Sequence, residues 1–250
     1  MALCEIHLSS NNSLQKMTSF MAIVPEKMKG PFPVLYLLHG LSDDHTAWTR
    51  RTSLERYLDG LPLIVIMPDG ERGWYTDAES IPYAKFENVI TSDLIEFVDN
   101  TFPTIASREG RMTAGLSMGG YGAVKLAVKH PNLFCGAVGF SGAFRFGNDI
   151  DSSEDWVVEN RLIFGDSFSD SDNDVSALLK NADHSTIPAL RLDCGTEDFL
   201  IEHNRRLHQL LESMQIEHEY VELPGEHNWS YWDRGIVDAL PFIKKTLVIE

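Results

Sequence analysis

TAGLSMGGYGAVKLAVKHP (residues 113–131) sets one serine, Ser117, between glycines two places to either side, and a helical pattern follows at once. Apolar residues lead in from Met112, and Tyr121, Val124, Leu126 and Val128 follow, so a buried strand passes into a helix at the serine. A sharp strand-to-helix turn forces its central residue into strained backbone, and side chains two residues away would collide. Glycine removes the Cβ at both places, here Gly115 and Gly119. Such a turn lifts the hydroxyl above the sheet edge, with the amino end of the next helix aimed at it. The plainer reading is a glycine-rich connection in which Ser117 only caps the helix. The rest of the chain decides between the two.

Six short apolar runs read as buried parallel strands: 33–40, 61–70, 111–117, 135–142, 188–195 and 217–225. Two earlier segments, 4–9 and 18–25, read as antiparallel edge strands. Helical patterns fall at 52–58, 86–102, 118–129, 199–214 and 229–247. This alternation predicts an α/β protein with a mostly parallel central sheet of about eight strands and helices on both faces. Sheets of this kind carry their sites at the carboxyl ends of the strands.

A nucleophilic serine needs a base, and the base needs an orienting acid. On a turn of this type they follow in the order acid, then histidine. Asp198 comes just after the 188–195 strand, which places it at a carboxyl end as the acid. Glu197 is the next candidate, Asp193 falls inside the strand, and a helix cap is the competing role for Asp198. Of nine histidines, His227 alone follows the last core strand, on a glycine-bearing loop before the final helix, and it is read as the general base. His203 and His208 are read as lying on the wet face of a helix beside Arg205 and Arg206. Charge on a tetrahedral intermediate requires two fixed donors. The backbone N–H groups of Met118 and of Leu41, after His39-Gly40, are the candidates, with His39 read as structural.

The chain has 250 residues, 43% of them hydrophobic, which suffices for one large core and predicts a single domain over 1–250. With 21 basic and 37 acidic residues the net charge is −16, which argues against nucleic-acid or anionic membrane partners. Three distant cysteines, Cys4, Cys135 and Cys194, fit no disulfide framework or zinc spacing and read as buried reduced thiols. The first residues lack the pattern of a signal peptide, and the expectation is a cytoplasmic protein. No metal or other cofactor is expected. Asp43-Asp44-His45 and the aspartates at 166–174 do not match calcium-loop spacing and read as a capped helix start and a solvated loop. Residues 143–187 form a long acidic connection, with DIDSSEDW (149–156) and SFSDSDND (167–174), and are read either as an inserted lid or as a surface excursion. Trp156, Phe164 and Phe168 would give that segment a small core or a cover for a pocket.

With these pieces assembled, VLYLLHGLSDDHTAW, RTSLERYL, LIVIMPDGERGWYTD, GLSMGGYGA, CGTEDFL and GEHNWSYW resemble the putative-esterase family of α/β-hydrolases, closest to its tributyrin esterase branch. The resemblance spans about residues 34–232. It implies the α/β-hydrolase fold and a serine carboxylesterase of short acyl esters, with Ser117, Asp198 and His227 as the triad. It further implies an oxyanion hole at Leu41 and Met118 and a small-molecule ester pocket bordered by Trp74 and Trp229. An S-formylglutathione hydrolase-like thioesterase, and a feruloyl or acetylxylan esterase, are the alternatives within the family. A homo-oligomer is an expectation from the family alone. A hydrolase-fold interaction protein without turnover would have no need to keep three such residues at three strand ends.

Overall fold

The computed structural model describes residues 1–145 and 154–249, with backbone alone for 154–156. Eight strands build one sheet: β1 (Ala2–Ser10), β2 (Lys16–Val24), β3 (Val34–Leu38), β4 (Ile64–Pro68), β5 (Arg111–Leu116), β6 (Gly136–Phe140), β7 (Ala189–Gly195) and β8 (His218–Leu223). Their order is β1-β2-β4-β3-β5-β6-β7-β8. The β1–β2 and β2–β4 pairs are antiparallel and the rest parallel, as the alternation of runs predicts.

The helices are α1 (Ala47–Arg51), α2 (Leu54–Tyr57), α3 (Phe86–Asn88), α4 (Ile95–Thr101), α5 (Met118–Lys129), α6 (Glu154–Phe164), α7 (Val175–Asn181), α8 (Ile201–Ser213) and α9 (Trp229–Thr246). A π-helical stretch, Val89–Leu94, joins α3 to α4, so the predicted 86–102 helix is one rod with a wide turn in its middle. Among the described residues no helix is long and apolar enough to cross a membrane.

Strands covered on both faces must be apolar at every position, and β3 to β6 are buried throughout. The pleat divides them between two cores. Val34, Tyr36 and Leu38 pack with α5 and α8, whereas Leu35 and Leu37 pack with Trp48 and α9. Helix α5 therefore covers one face and α9 the other.

Three expectations need correction. The helix expected at 52–58 shrinks to the single turn of α2, with α1 ending just before it, because Thr52 is extended (φ −130°, ψ 173°) and its hydroxyl accepts the Leu54 N–H at 3.1 Å. Only Cys194 is a buried thiol; Cys4 and Cys135 are half-buried, and all three are free. Within 166–174, Asp174 is not solvated but buried as the amino cap of α7, accepting the Ser176 N–H at 2.9 Å.

In the 143–187 segment, most of DIDSSEDW and the Trp156 side chain lie outside the described residues. The remainder joins the main core instead of forming its own. Phe164 and Phe168 meet edge-to-face at 5.2 Å, and Phe164 reaches Trp74 at 5.9 Å and Tyr121 of α5 at 6.4 Å. Such ring contacts add roughly 0.5–1.5 kcal/mol each beyond their area.

Candidate active site

Ser117 is the hinge between β5 and α5, with φ +53° and ψ −116°, a region non-glycine residues rarely occupy. Its backbone is pinned on both sides: its N–H donates to Phe140 O at 2.9 Å, and its carbonyl accepts the Ala143 N–H at 3.0 Å. A Cβ on Gly119 would come within 2.6 Å of the Leu38 and His39 carbonyls, and one on Gly115 within 2.4 Å of Gly119 O. The two glycines are thus demanded by backbone, which cannot yield. Gly120 is a matter of close packing, its absent Cβ facing Gly142 and the Phe140 carbonyl at 3.0 Å.

The loops after β7 and β8 meet this turn. His227 Nε2 stands 3.1 Å from Ser117 Oγ, and His227 Nδ1 is 2.9 Å and 3.0 Å from the two Asp198 oxygens. Asp198 is buried and also accepts the Leu200 N–H at 2.8 Å. Burial raises its pKa, but hydrogen bonds from His227, the Leu200 N–H and Ser141 outweigh that and hold the carboxyl below the usual value. Glu197, one residue earlier, is exposed and accepts the Gly225 N–H at 2.5 Å, tying the β7 and β8 loops together. Asp193 stays inside β7, bound by Arg191 and the Tyr231 hydroxyl.

Gly40 and Leu41 border Ser117 from the end of β3. Buried His39 shapes that loop: its Nδ1–H donates to Gly40 O at 2.7 Å, and its Nε2 accepts the Gly70 N–H at 2.9 Å. The Met118 N–H opens α5, where no earlier turn of helix can accept it. Chemically, the arrangement offers a hydroxyl, a base in contact with it and a buried carboxylate behind the base.

The whole chain bears comparison with known proteins at this point. Residues 11–243 match the family described as "Putative esterase". The chain belongs to that esterase family. An acetyl esterase of Caldicellulosiruptor saccharolyticus is 31% identical, over 98% of this chain and 99% of its own. FphF, a fluorophosphonate-binding serine hydrolase of Staphylococcus aureus, superposes with a TM-score of 0.88 at 28% identity, over 98% of both chains. An S-formylglutathione hydrolase (FrmB) from the same organism gives 0.84 at 28%, again over 98% of both. The fold is the α/β-hydrolase fold, and this esterase is a carboxylic ester hydrolase of the serine type.

In this esterase Ser117 opens into a cavity of about 670 Å³, within the range of small-molecule sites. Trp74 and Trp229 both line it. Trp74 and Tyr75 have consecutive positive φ values, +53° and +51°. Buried Lys125 of α5 holds this kink by donating to Tyr75 O at 2.6 Å, and the Tyr75 hydroxyl donates to His39 O at 3.0 Å. The pocket wall, the β3 loop and α5 are therefore one hydrogen-bonded unit. The buried Trp74 indole N–H has no hydrogen-bond partner among the described residues.

Sequence reading missed several contributors. Arg145 lies over the Trp74 ring at 4.4 Å, inside the acidic connection where no motif marks it. Phe199 stands 74% exposed with its ring 4.5 Å from that of His227, and its only signal was adjacency to Asp198. His203, expected on a wet face, borders the cavity half-buried, because α8 begins directly behind the Asp198 loop.

Ser141 is the least legible of these. It is fully buried at φ +47°, accepts the Trp232 indole N–H at 3.1 Å, and turns its hydroxyl toward Asp198. Ser141→Ala is expected to lower kcat by about tenfold or more with KM nearly unchanged, the scale of one hydrogen bond to a charged group. Steady-state kinetics checks this; an unaltered kcat would remove Ser141 from the support of the acid.

Proposed function

We propose that this chain is a cytoplasmic serine carboxylesterase of short acyl esters, acetyl to butyryl, working through an acyl-Ser117 intermediate. The observation that carries the reading is the continuous contact Ser117 Oγ, His227 Nε2, His227 Nδ1, Asp198, of which Ser117 and His227 line one cavity and Asp198 is buried behind them. Ser117 Oγ bonds to the ester carbonyl carbon as His227 takes the hydroxyl proton. Asp198 accepts the His227 Nδ1–H throughout, keeping the tautomer in which Nε2 is free to accept. The carbonyl oxygen gains negative charge, which the Leu41 and Met118 N–H groups stabilise. Collapse breaks the bond to the alcohol, which leaves with the proton from His227. Water then repeats the sequence and releases the acid.

The short-acyl preference is supported by the full-length acetyl esterase relative. Bulky Trp74, Trp229 and Trp232 around the cavity, which must also accommodate the alcohol, favour the same reading. The described part of the 143–187 insert serves as a fixed wall behind Trp74. Free thiols and the acidic charge fit a reducing, cytoplasmic setting.

A second reading, a thioesterase for S-formylglutathione, is favoured by the S. aureus structural neighbour. A panel of p-nitrophenyl esters of increasing acyl length, S-formylglutathione, and feruloylated and acetylated sugars separates these. The expected order places acetate and butyrate highest in kcat/KM. A strong preference for the thioester or for a feruloyl group would replace the short-ester assignment.

A further inference from the structure

Far from Ser117 in the fold, α8 and β8 bring three ligand-type side chains together. His208 and Glu212 are four residues apart on α8 and so share a face of the helix. The chain then reverses through Gln215, at φ +57°, and returns as β8, whose first residue is His218. This reversal sets His208 Nδ1 2.8 Å from His218 Nε2. With a Glu212 carboxylate oxygen, all three ligand atoms lie within 4.8 Å of one another, the one such cluster among the described residues. Since the carboxyl ends of β7 and β8 lead to Asp198 and His227, the amino end of β8 is the opposite edge of the sheet from the esterase cavity.

The two rings are held in place. His218 Nδ1–H donates to Ile216 O at 2.8 Å, so the neutral ring keeps its proton there and turns the Nε2 lone pair toward His208. A carbonyl fixing the remote ring nitrogen is how metal-binding histidines are usually oriented. The His208 ring stacks flat on Tyr220, 4.1 Å between centroids and 9° between planes. Glu212 is exposed, so its carboxylate can swing to close the set.

We propose that His208, Glu212 and His218 bind one divalent transition-metal ion of the zinc type. Two nitrogens bound to one tetrahedral zinc stand about 3.3 Å apart, given bonds of about 2.0–2.1 Å, so the pair has only to open slightly. The His208 proton, on Nδ1 while that atom donates to His218, moves through solvent to Nε2, and the ring stays neutral with its Nδ1 lone pair on the metal. Two imidazoles and a carboxylate favour zinc, nickel or copper over calcium or magnesium, which take oxygen ligands. Arg205, the neighbouring cation, is bound to Glu222 at 2.8 and 2.9 Å and to Glu202 at 2.7 Å, so its charge is compensated. Such an ion would clamp the end of α8 to the start of β8, independently of ester hydrolysis.

The test uses the full chain after dialysis against a chelator, titrated with Zn²⁺ by calorimetry and with Co²⁺ by visible absorption. One equivalent is expected to bind, and about a hundredfold excess over Kd should raise Tm by about 5 °C or more. His208→Ala and His218→Ala should abolish both effects while p-nitrophenyl acetate hydrolysis persists. Glu212→Gln, at an exposed position that the fold tolerates, should weaken binding about tenfold or more. Absence of saturable binding by the wild-type chain overturns the proposal. So does binding that survives His218→Ala, and an unchanged affinity in Glu212→Gln removes the three-ligand site.

Discussion

Ser117→Ala is expected to lower hydrolysis of p-nitrophenyl acetate and butyrate by about 10⁴-fold or more, while the fold persists. The hydroxyl is the atom that would bond to the acyl carbon, and His227 Nε2 stands 3.1 Å away to take its proton. The residual rate should reflect what binding and the backbone donors at Leu41 and Met118 still supply. The substitution removes one oxygen and leaves the turn's backbone anchors to Phe140 and Ala143 in place, so the melting temperature should stay close to wild type. Labelling by a fluorophosphonate probe should vanish with the hydroxyl. Near wild-type turnover in this variant would sink the assignment of the nucleophile.

Asp198→Asn should cost a comparable factor, about 10⁴ in kcat, for a different reason. The carboxylate accepts from His227 Nδ1 and from the Leu200 N–H, and Ser141 helps hold its pKa down. An amide can present a donor to Nδ1, which would move the ring proton to Nε2 and leave no lone pair facing Ser117. Since the Asp198 pKa lies below the usual carboxylate value, the acid is ionised from mildly acidic pH upward. The wild-type rate therefore should not fall through protonation of Asp198 until the pH is well below neutral. Glu197→Gln is the control, because that side chain holds Gly225 and does not touch His227. A larger loss in Glu197→Gln than in Asp198→Asn would transfer the acid's role by one residue.

The parts legible in sequence share a property: each rests on a local rule. Short apolar runs such as VLYLL, ended by turn residues, read as strands covered on both faces, and Gly115 and Gly119 mark a turn in which a Cβ would strike backbone. Asp198 and His227 were readable because loops at strand ends have a fixed side of the sheet to emerge on. Arg145, Ser141 and the Lys125–Tyr75 bond were not readable, because each depends on which distant segments pack together. Nothing in the order of residues says that a lysine in the nucleophile helix will turn inward to hold a carbonyl fifty positions away. The same holds for His208 and His218, which become neighbours only through the reversal at Gln215.

The position of β8 has a consequence for how this enzyme fails. It is one of the two edge strands of the sheet, no more than half-buried at any residue, whereas β5, which leads into Ser117, is buried throughout. His227 hangs from the loop after β8, 110 residues along the chain from Ser117. Edge elements open at lower free energy than a central core, so His227 can leave while the Ser117 turn and most helices remain intact. Contacts this distant in sequence also close late in folding, after their loop entropy has been overcome. Loss of turnover on heating therefore reports the opening of one strand, and should precede the loss of helical signal.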